Sequence, residues 1–168
     1  PMTLEQQIKD RALSLGFDAV GITDAAPIAP ADIERFERWL RQGRAGQMEY
    51  LHRNFEKRTR PAALLPGARS VIVVALNYKP DRPSHAGATV SRPMGTVAQY
   101  AWYQDYHDFM KPMLFELADF VRSKAGPAHR FKACVDSVPL AERALAVRAG
   151  LGFIGANHML IHPTLGPQ

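Results

Sequence analysis

FKACVDSVPLAERALAVRAGLGFIGAN, residues 131–157, is the stretch on which the fold class turns. Phe131–Val135 has the apolar composition of a buried strand. Asp136 and Ser137 make a polar corner after it. Pro139 suits the first turn of a helix, where its missing N–H is unsatisfied anyway, and Gly150 suits the helix's end. Gly152 and Gly155 then form a glycine-rich return, and glycine permits close approach of backbone to a ligand. Ligands of α/β proteins gather where strand ends meet helix starts. Asp136 is therefore the expected centre of a site, with Ser137 expected to cap the helix by accepting from one of its free N–H groups.

Outward from that stretch the same alternation continues. Val71–Tyr78 (VIVVALNY) predicts a central strand covered on both faces, and Phe17–Thr23 predicts another. Thr3-Leu4-Glu5-Gln6 is a capping box opening a helix that ends at Gly16. A second helix is expected from near Ala31 to Gly43, with Ile33, Phe36, Trp39 and Leu40 at core spacing. Short helical pieces follow within Arg44–Leu51 and within Arg58–Ser70, the latter bracketed by Pro61 and Pro66. Asp105–Lys124 is the longest helical pattern, interrupted by Pro112, and an interior proline costs about 3 kcal/mol or more. That helix either kinks at Lys111–Pro112 or begins there, leaving Tyr106 and His107 in a turn. Lys79–Pro93 reads as a long loop, Gly95–Ala101 as a strand or extended segment, and His158–Pro163 as a last strand. The reading is a single α/β domain.

The chain's 168 residues are enough for one domain with a real core. The longest purely apolar run, Val71–Leu76, is far too short to span a bilayer, and the first ten residues lack a signal peptide's layout. One cysteine, Cys134, excludes an internal disulfide and a cysteine-built metal site. His158 and His162 lack the spacing of a metal pair, so no metal site is expected. A cytoplasmic protein without membrane association is the expectation.

Charge is concentrated in one segment. From Arg35 to Arg69, nine basic residues against Glu37, Glu49 and Glu56 give +6, when the whole chain carries +5. Such a run is either a solvated helical surface, with Glu34–Arg38 and Glu37–Arg41 at i,i+4 spacing, or a face that attracts phosphates. Arg38, Arg41 and Arg58 are the candidate nucleic-acid contacts.

RPAALLPGARSVIVVALNY (60–78), QYAWYQDYHDFM (99–110) and VDSVPLAERALAVRAGLGFIGANHMLIHPTLG (135–166) together resemble the N-terminal catalytic domain of the epoxyqueuosine reductase family, in the same order. The resemblance implies a nitroreductase-like mixed sheet flanked by helices, in a single domain over residues 1–168. It implies cobalamin-dependent reduction of the epoxide of epoxyqueuosine in tRNA to queuosine, with Asp136 as proton donor. Tyr106 and His107 of the DYH motif, Ser137, Arg143, Asn157 and the backbones of Gly152 and Gly155 are the residues it puts beside the cofactor. Glu142 and Arg143 either meet the corrin's amides or pair with neighbours. At full length the family adds paired [4Fe–4S] clusters and a helical-repeat region that helps hold tRNA. Neither lies in these 168 residues, so electrons are expected from a donor outside them, and a monomer is expected. A truncated chain and a short homologue both match this pattern.

Two positions depart from the family pattern. Ala156 stands where GKN has its lysine, and Gln99 where ARYA has its arginine, so each removes a cation. Two other functions compete: a non-catalytic cobalamin-binding or trafficking module, and a basic RNA-binding domain without cofactor.

Overall fold

The capping box at the N-terminus forms as its sequence predicts: Thr3 Oγ1 accepts from the Gln6 N–H at 3.2 Å, opening α1 (Leu4–Ser14). In this computed structural model, residues 2–78, 95, 97, 101 and 103–167 are described. The long loop expected at Lys79–Pro93 lies outside them, as does most of the segment expected at Gly95–Ala101, Gln99 included. After α1 come β1 (Ala19–Asp24), α2 (Pro30–Arg41), α3 (Glu49–Arg53), α4 (Phe55–Thr59), α5 (Pro61–Leu64) and β2 (Ser70–Ala75). The second half holds α6 (Tyr106–Ala125), α7 (Glu142–Arg148) and three short strands, β3 (Phe153–Ile154), β4 (Leu160–His162) and β5 (Gly166–Pro167). Among the described helices none is long and apolar enough to cross a membrane.

β1 and β2 pair antiparallel, with Ala19 opposite Ala75 and Asp24 opposite Ser70. Alternation sends their side chains to two layers. Val20, Ile22, Ile72 and Val74 pack on a core of Ile8, Ala12, Phe17, Leu117 and Val121, contributed mainly by α1 and α6. Ala19, Val73 and Ala75 pack on the other side with Ala146 of α7, Leu151 and Leu160. β2 is thus covered on both faces, as its unbroken apolar run implies. Among the described residues it is not central, because only β1 pairs with it. β3, β4 and β5 form a second antiparallel sheet, so every described ladder is antiparallel.

α7 reaches the sheet closely because position 21 is glycine. A Cβ there would lie 2.4 Å from the Ala149 carbonyl oxygen. The helix ends in a Schellman motif: Leu151 N–H bonds the Ala146 carbonyl at 2.9 Å, Gly150 N–H bonds Val147's at 3.0 Å, and Gly150 has φ +80°. Gly152 follows at φ +152°, and a Cβ on it would sit 2.1 Å from the Ile161 carbonyl oxygen. Gly152→Ala is expected to cost about 1–3 kcal/mol through overpacking, read as a lower denaturant midpoint at unchanged m-value. A midpoint equal to wild type would show that β4 moves aside freely.

Three sequence expectations need correction, and of the two readings at Pro112 the later helix start is excluded. Phe131–Val135 is not a strand, since no described strand runs beside it to take its backbone hydrogen bonds. Pro139 does not open α7: the Leu140 N–H bonds the Val138 carbonyl at 2.9 Å, a three-residue turn with proline at its centre. The helix starts at Glu142, its N-cap is Ala141 without a side-chain cap, and Ser137 lies too far upstream to cap it. Tyr106 and His107 occupy the first turn of α6, which runs through Pro112. Its N-cap is Asp105, whose carboxylate accepts from the His107 N–H at 2.9 Å.

The α2 aromatics pack less deeply than their spacing predicts. Only Leu40 is buried. Phe36 stacks on Trp39 and on Phe55 of α4, at 6.2 and 5.5 Å between ring centres, which joins α2 to the short helices instead of to the sheet.

Candidate active site

Asp136 sits at the corner the sequence singled out, but on a loop and not at a strand end. Its backbone is in the left-handed region, φ +49°, which aspartate tolerates better than most residues. The carboxylate is exposed and takes one side-chain partner from far along the chain: the Tyr106 hydroxyl donates to Oδ2 at 2.7 Å. Tyr106 in turn stacks on His107, with ring centres 4.3 Å apart. The His107 ring nitrogen Nδ1 lies 2.7 Å from Asp105 Oδ1. The two His107 hydrogen bonds, backbone first and then ring, hold the Asp105 carboxyl below its ordinary range. Asp105, His107, Tyr106 and Asp136 therefore form a continuous chain of contacts from the start of α6 to the loop.

The hydrogen bond to Asp136 pushes the Tyr106 phenol up to about 12, with burial and the carboxylate's charge adding to it. An unfolded Tyr106 loses its proton near 10, so between 10 and 12 only the folded state keeps it. Unfolding then releases a proton, and this contribution to stability falls as pH rises through that window. In Asp136→Ala, which removes the acceptor altogether, ultraviolet titration of tyrosinate is expected to show one phenol ionising at lower pH than in wild type. Identical curves would mean that the contact is not formed in solution.

Asp136 and Tyr106 line a cavity of about 980 Å³ shared with Glu142, Cys134, Leu140 and Leu145. Most of its wall is apolar, from Ser70–Val74 of β2, from Met110, Leu114, Leu117 and Val121 of α6, and from the 128–136 segment. Burial raises the Glu142 carboxyl above its ordinary range and the negative Asp136 adds to this, while its own backbone hydrogen bond, Arg58 and Arg143 pull it down. Glu142 Oε1 and Arg58 Nε are both buried without a hydrogen-bond partner. Burial also raises the Cys134 thiol, so it is not a ready thiolate. Among the described residues no group of three His, Cys, Asp or Glu side chains could hold a metal ion.

The remaining sequence candidates divide clearly. Ser137 is exposed and takes no hydrogen bond among the described residues. Arg143 Nη1 donates to the His158 carbonyl oxygen, a tie within the chain. Asn157 Oδ1 accepts from the Met159 N–H at 3.1 Å, and a Cβ on Gly155 would lie 2.8 Å from the same oxygen. The close approaches at Gly152 and Gly155 are thus to the chain's own β4 region. On α2, Arg38 is exposed without an ion pair among the described residues, and Arg41 faces Glu37 at 3.6 Å. Arg58 is half-buried and acts on Glu142, so it is not part of the open basic surface. Sequence reasoning missed the Tyr106–Asp136 bond and the Arg58–Glu142 coupling. Both join residues far apart in the chain, and no local pattern signals either.

Residues 58–137, the span carrying Tyr106 and Asp136, match the family model described as epoxyqueuosine reductase QueG, DUF1730. The chain is 37% identical over 167 residues to an epoxyqueuosine reductase of Pseudomonas aeruginosa, covering 99% of this chain and 45% of that protein. A selenomethionine-labelled epoxyqueuosine reductase superposes with a TM-score of 0.83 at 32% identity, covering 98% of this chain and 43% of that one. Over nearly its whole length the chain is similar to epoxyqueuosine reductases in sequence and in fold. Another solved member, holding an epoxyqueuosine-modified stem loop of tRNA-Tyr, superposes at 0.81 with 31% identity, covering 98% of this chain and 42% of that one. A member from Bacillus subtilis, whose catalytic aspartate loop is swung out of its active site, superposes at 0.77 with 30% identity over the same shares. The α/β class expected from the sequence is that of these solved relatives. The chain spans about half the length of the curated relatives it matches.

Proposed function

We propose that this chain carries the catalytic face of an epoxyqueuosine reductase, which removes the oxygen of epoxyqueuosine in tRNA to leave the alkene of queuosine. The reaction takes up two electrons and two protons and releases the oxygen as water. The observation that carries this reading is the exposed Asp136 carboxylate, held by Tyr106 at the rim of the large cavity. Tyr106 occupies Oδ2, leaving Oδ1 as the oxygen that delivers a proton to the opening epoxide. Glu142, on the same cavity and holding its proton above the usual carboxylate range, supplies a second acid. The solved relative whose catalytic aspartate loop is swung out of its active site supports this reading, because Asp136 also stands on a loop with little local hydrogen bonding.

Cobalamin is the proposed cofactor, and when bound it supplies the electrons. The exposed rim fits a broad planar group: Asp136, Tyr106 and Ser137 are all exposed there, with His107 stacked on Tyr106. The amides of such a ligand find a hydroxyl at Ser137, whereas Arg143 and Asn157 are engaged within the chain. Iron–sulfur clusters outside these 168 residues would be the source of those electrons. The tRNA-bound relative supports tRNA as the substrate carrier, with Arg38 and Arg41 of α2 contacting phosphates.

Adding cobalamin to the purified chain is the direct test. The visible spectrum of the cofactor is expected to shift on binding, and an unchanged spectrum at high protein concentration would falsify the assignment. Reversing the charge of Arg38 and Arg41 is expected to weaken tRNA binding at low salt and to flatten its salt dependence. An unchanged affinity reduces α2 to ordinary surface. Cobalamin binding with no epoxide reduction under a strong chemical reductant would favour a trafficking module instead.

A further inference from the structure

A smaller cavity, of about 250 Å³, lies among α2, α3 and α4 and shares no lining residue with the large one. Glu37, Leu40 and Arg41 of α2, His52 of α3 and Phe55 of α4 line it. Leu40 is buried and forms the floor, whereas Glu37, Arg41 and His52 are exposed at the mouth. Phe55 is half-buried and held by its stack on Phe36. Sites for whole small molecules run to roughly 300–1,000 Å³, so this one suits a single ring system. The same three helices carry exposed Arg38, Arg53 and Lys57, which draw phosphates toward the mouth. Unpaired RNA bases are held in such places, stacked on an aromatic side chain and read along their Watson–Crick edges.

The charged pair at the mouth selects the base. Glu37 Oε2 and Arg41 Nη1 lie 3.6 Å apart, so a strong acceptor stands beside a strong donor. Exposed pairs of this kind contribute little, and both partners exchange readily for a ligand. Guanine presents the complementary run of groups: O6 accepts, and N1–H and the N2 amino group next to it donate. Adenine and cytosine put a donor where guanine has O6, and uracil has only one donor. We propose that this cavity reads one unpaired guanine of an RNA. Glu37 accepts from N1–H and N2–H, Arg41 donates to O6, and the ring lies against Phe55 and Leu40. The inference rests on the reading of α2 as the surface that meets tRNA, and adds base recognition to it.

Binding of dye-labelled five-nucleotide RNAs to the intact chain at low salt, read by fluorescence anisotropy, tests it without cofactor or turnover. UUGUU is expected to bind at least about fivefold tighter than UUAUU or UUUUU, the discrimination a two-bond base contact gives. Its inosine analogue, which lacks only the N2 amino group, is expected to fall between them. Glu37→Gln, on an exposed helix surface, separates recognition from charge. Loss of a negative charge tightens every RNA if the segment only attracts phosphates. If Glu37 reads guanine, UUGUU instead weakens until it matches UUUUU. Tightening of all the RNAs in the variant, or wild-type binding without base preference, would overturn the guanine site and leave tRNA contact by Arg38 and Arg41 standing. A wild-type chain that binds neither these RNAs nor tRNA would overturn both.

Discussion

Asp136→Asn is expected to leave cobalamin binding intact and to slow epoxide reduction by about 10²–10⁴-fold, the usual loss when a positioned acid is removed. Asparagine is the informative replacement for two reasons. It tolerates the left-handed backbone at φ +49°, and its carbonyl oxygen still accepts from the Tyr106 hydroxyl. What it cannot do is give up a carboxylic proton. Asp136→Ala removes the Tyr106 partner as well, and so mixes loss of the acid with loss of the loop's anchor. The measurement is single-turnover reduction of an epoxyqueuosine-bearing stem loop, with cobalamin and a chemical reductant supplied. A rate within threefold of wild type would remove Asp136 from the mechanism. A matching loss of cobalamin binding would make it a structural residue of the rim.

The largest stability effect is expected at Arg148. Its guanidinium donates to Thr23 Oγ1 at 3.1 Å, to the Pro27 carbonyl at 2.8 Å, and to those of Asp24 and Ala26 at 2.9 and 3.0 Å. The Asp24 carboxylate lies 3.2 Å away as well, and the arginine side chain is 28% exposed. One side chain thus fastens the 24–27 loop onto the end of α7. Hydrogen bonds to charged groups contribute roughly 1.5–3 kcal/mol each and do not add fully, so Arg148→Ala is expected to cost about 3 kcal/mol. At roughly 2–4 °C per kcal/mol for a chain this size, Tm falls by about 6–12 °C. Arg148→Lys recovers little, because an ammonium is a point donor and cannot span four acceptors. Arg122→Ala is the control, since its bond to Asp119 is an exposed i,i+3 pair worth under about 1 kcal/mol. Equal melting of the two alanine variants would mean that the 24–27 loop is held by something else.

What the sequence made legible was local. The Thr3 cap, the Gly150 terminator, β1 and the apolar β2 follow from residue type and spacing over a few positions. Asp136 was legible as a polar break between apolar runs, and its match to the family's motif adds to that. The misses share a cause. Phe131–Val135 has strand composition, but composition cannot supply a neighbour, and strand formation is a property of pairs. Pro139 fits a helix start and a tight turn equally well, and the Leu140–Val138 hydrogen bond decides for the turn. Arg58 counted as surface charge because it sits in a basic run, and only the folded chain brings it to the half-buried Glu142. At Gly152 and Gly155 the space a side chain would need is taken by Ile161 of β4 and by Asn157, a neighbourhood that no local pattern signals.

The missing side chain at Gly21 has reach beyond its own contact. Ala149 rests on it at one end of α7, and Glu142 stands at the other, about 10 Å along the axis. A methyl group at residue 21 acts as a wedge beneath a short rigid lever, lifting one tip and swinging the other. A substitution at position 21 is therefore expected to displace the helix that carries Glu142, although residue 21 itself lies at the helix's opposite end.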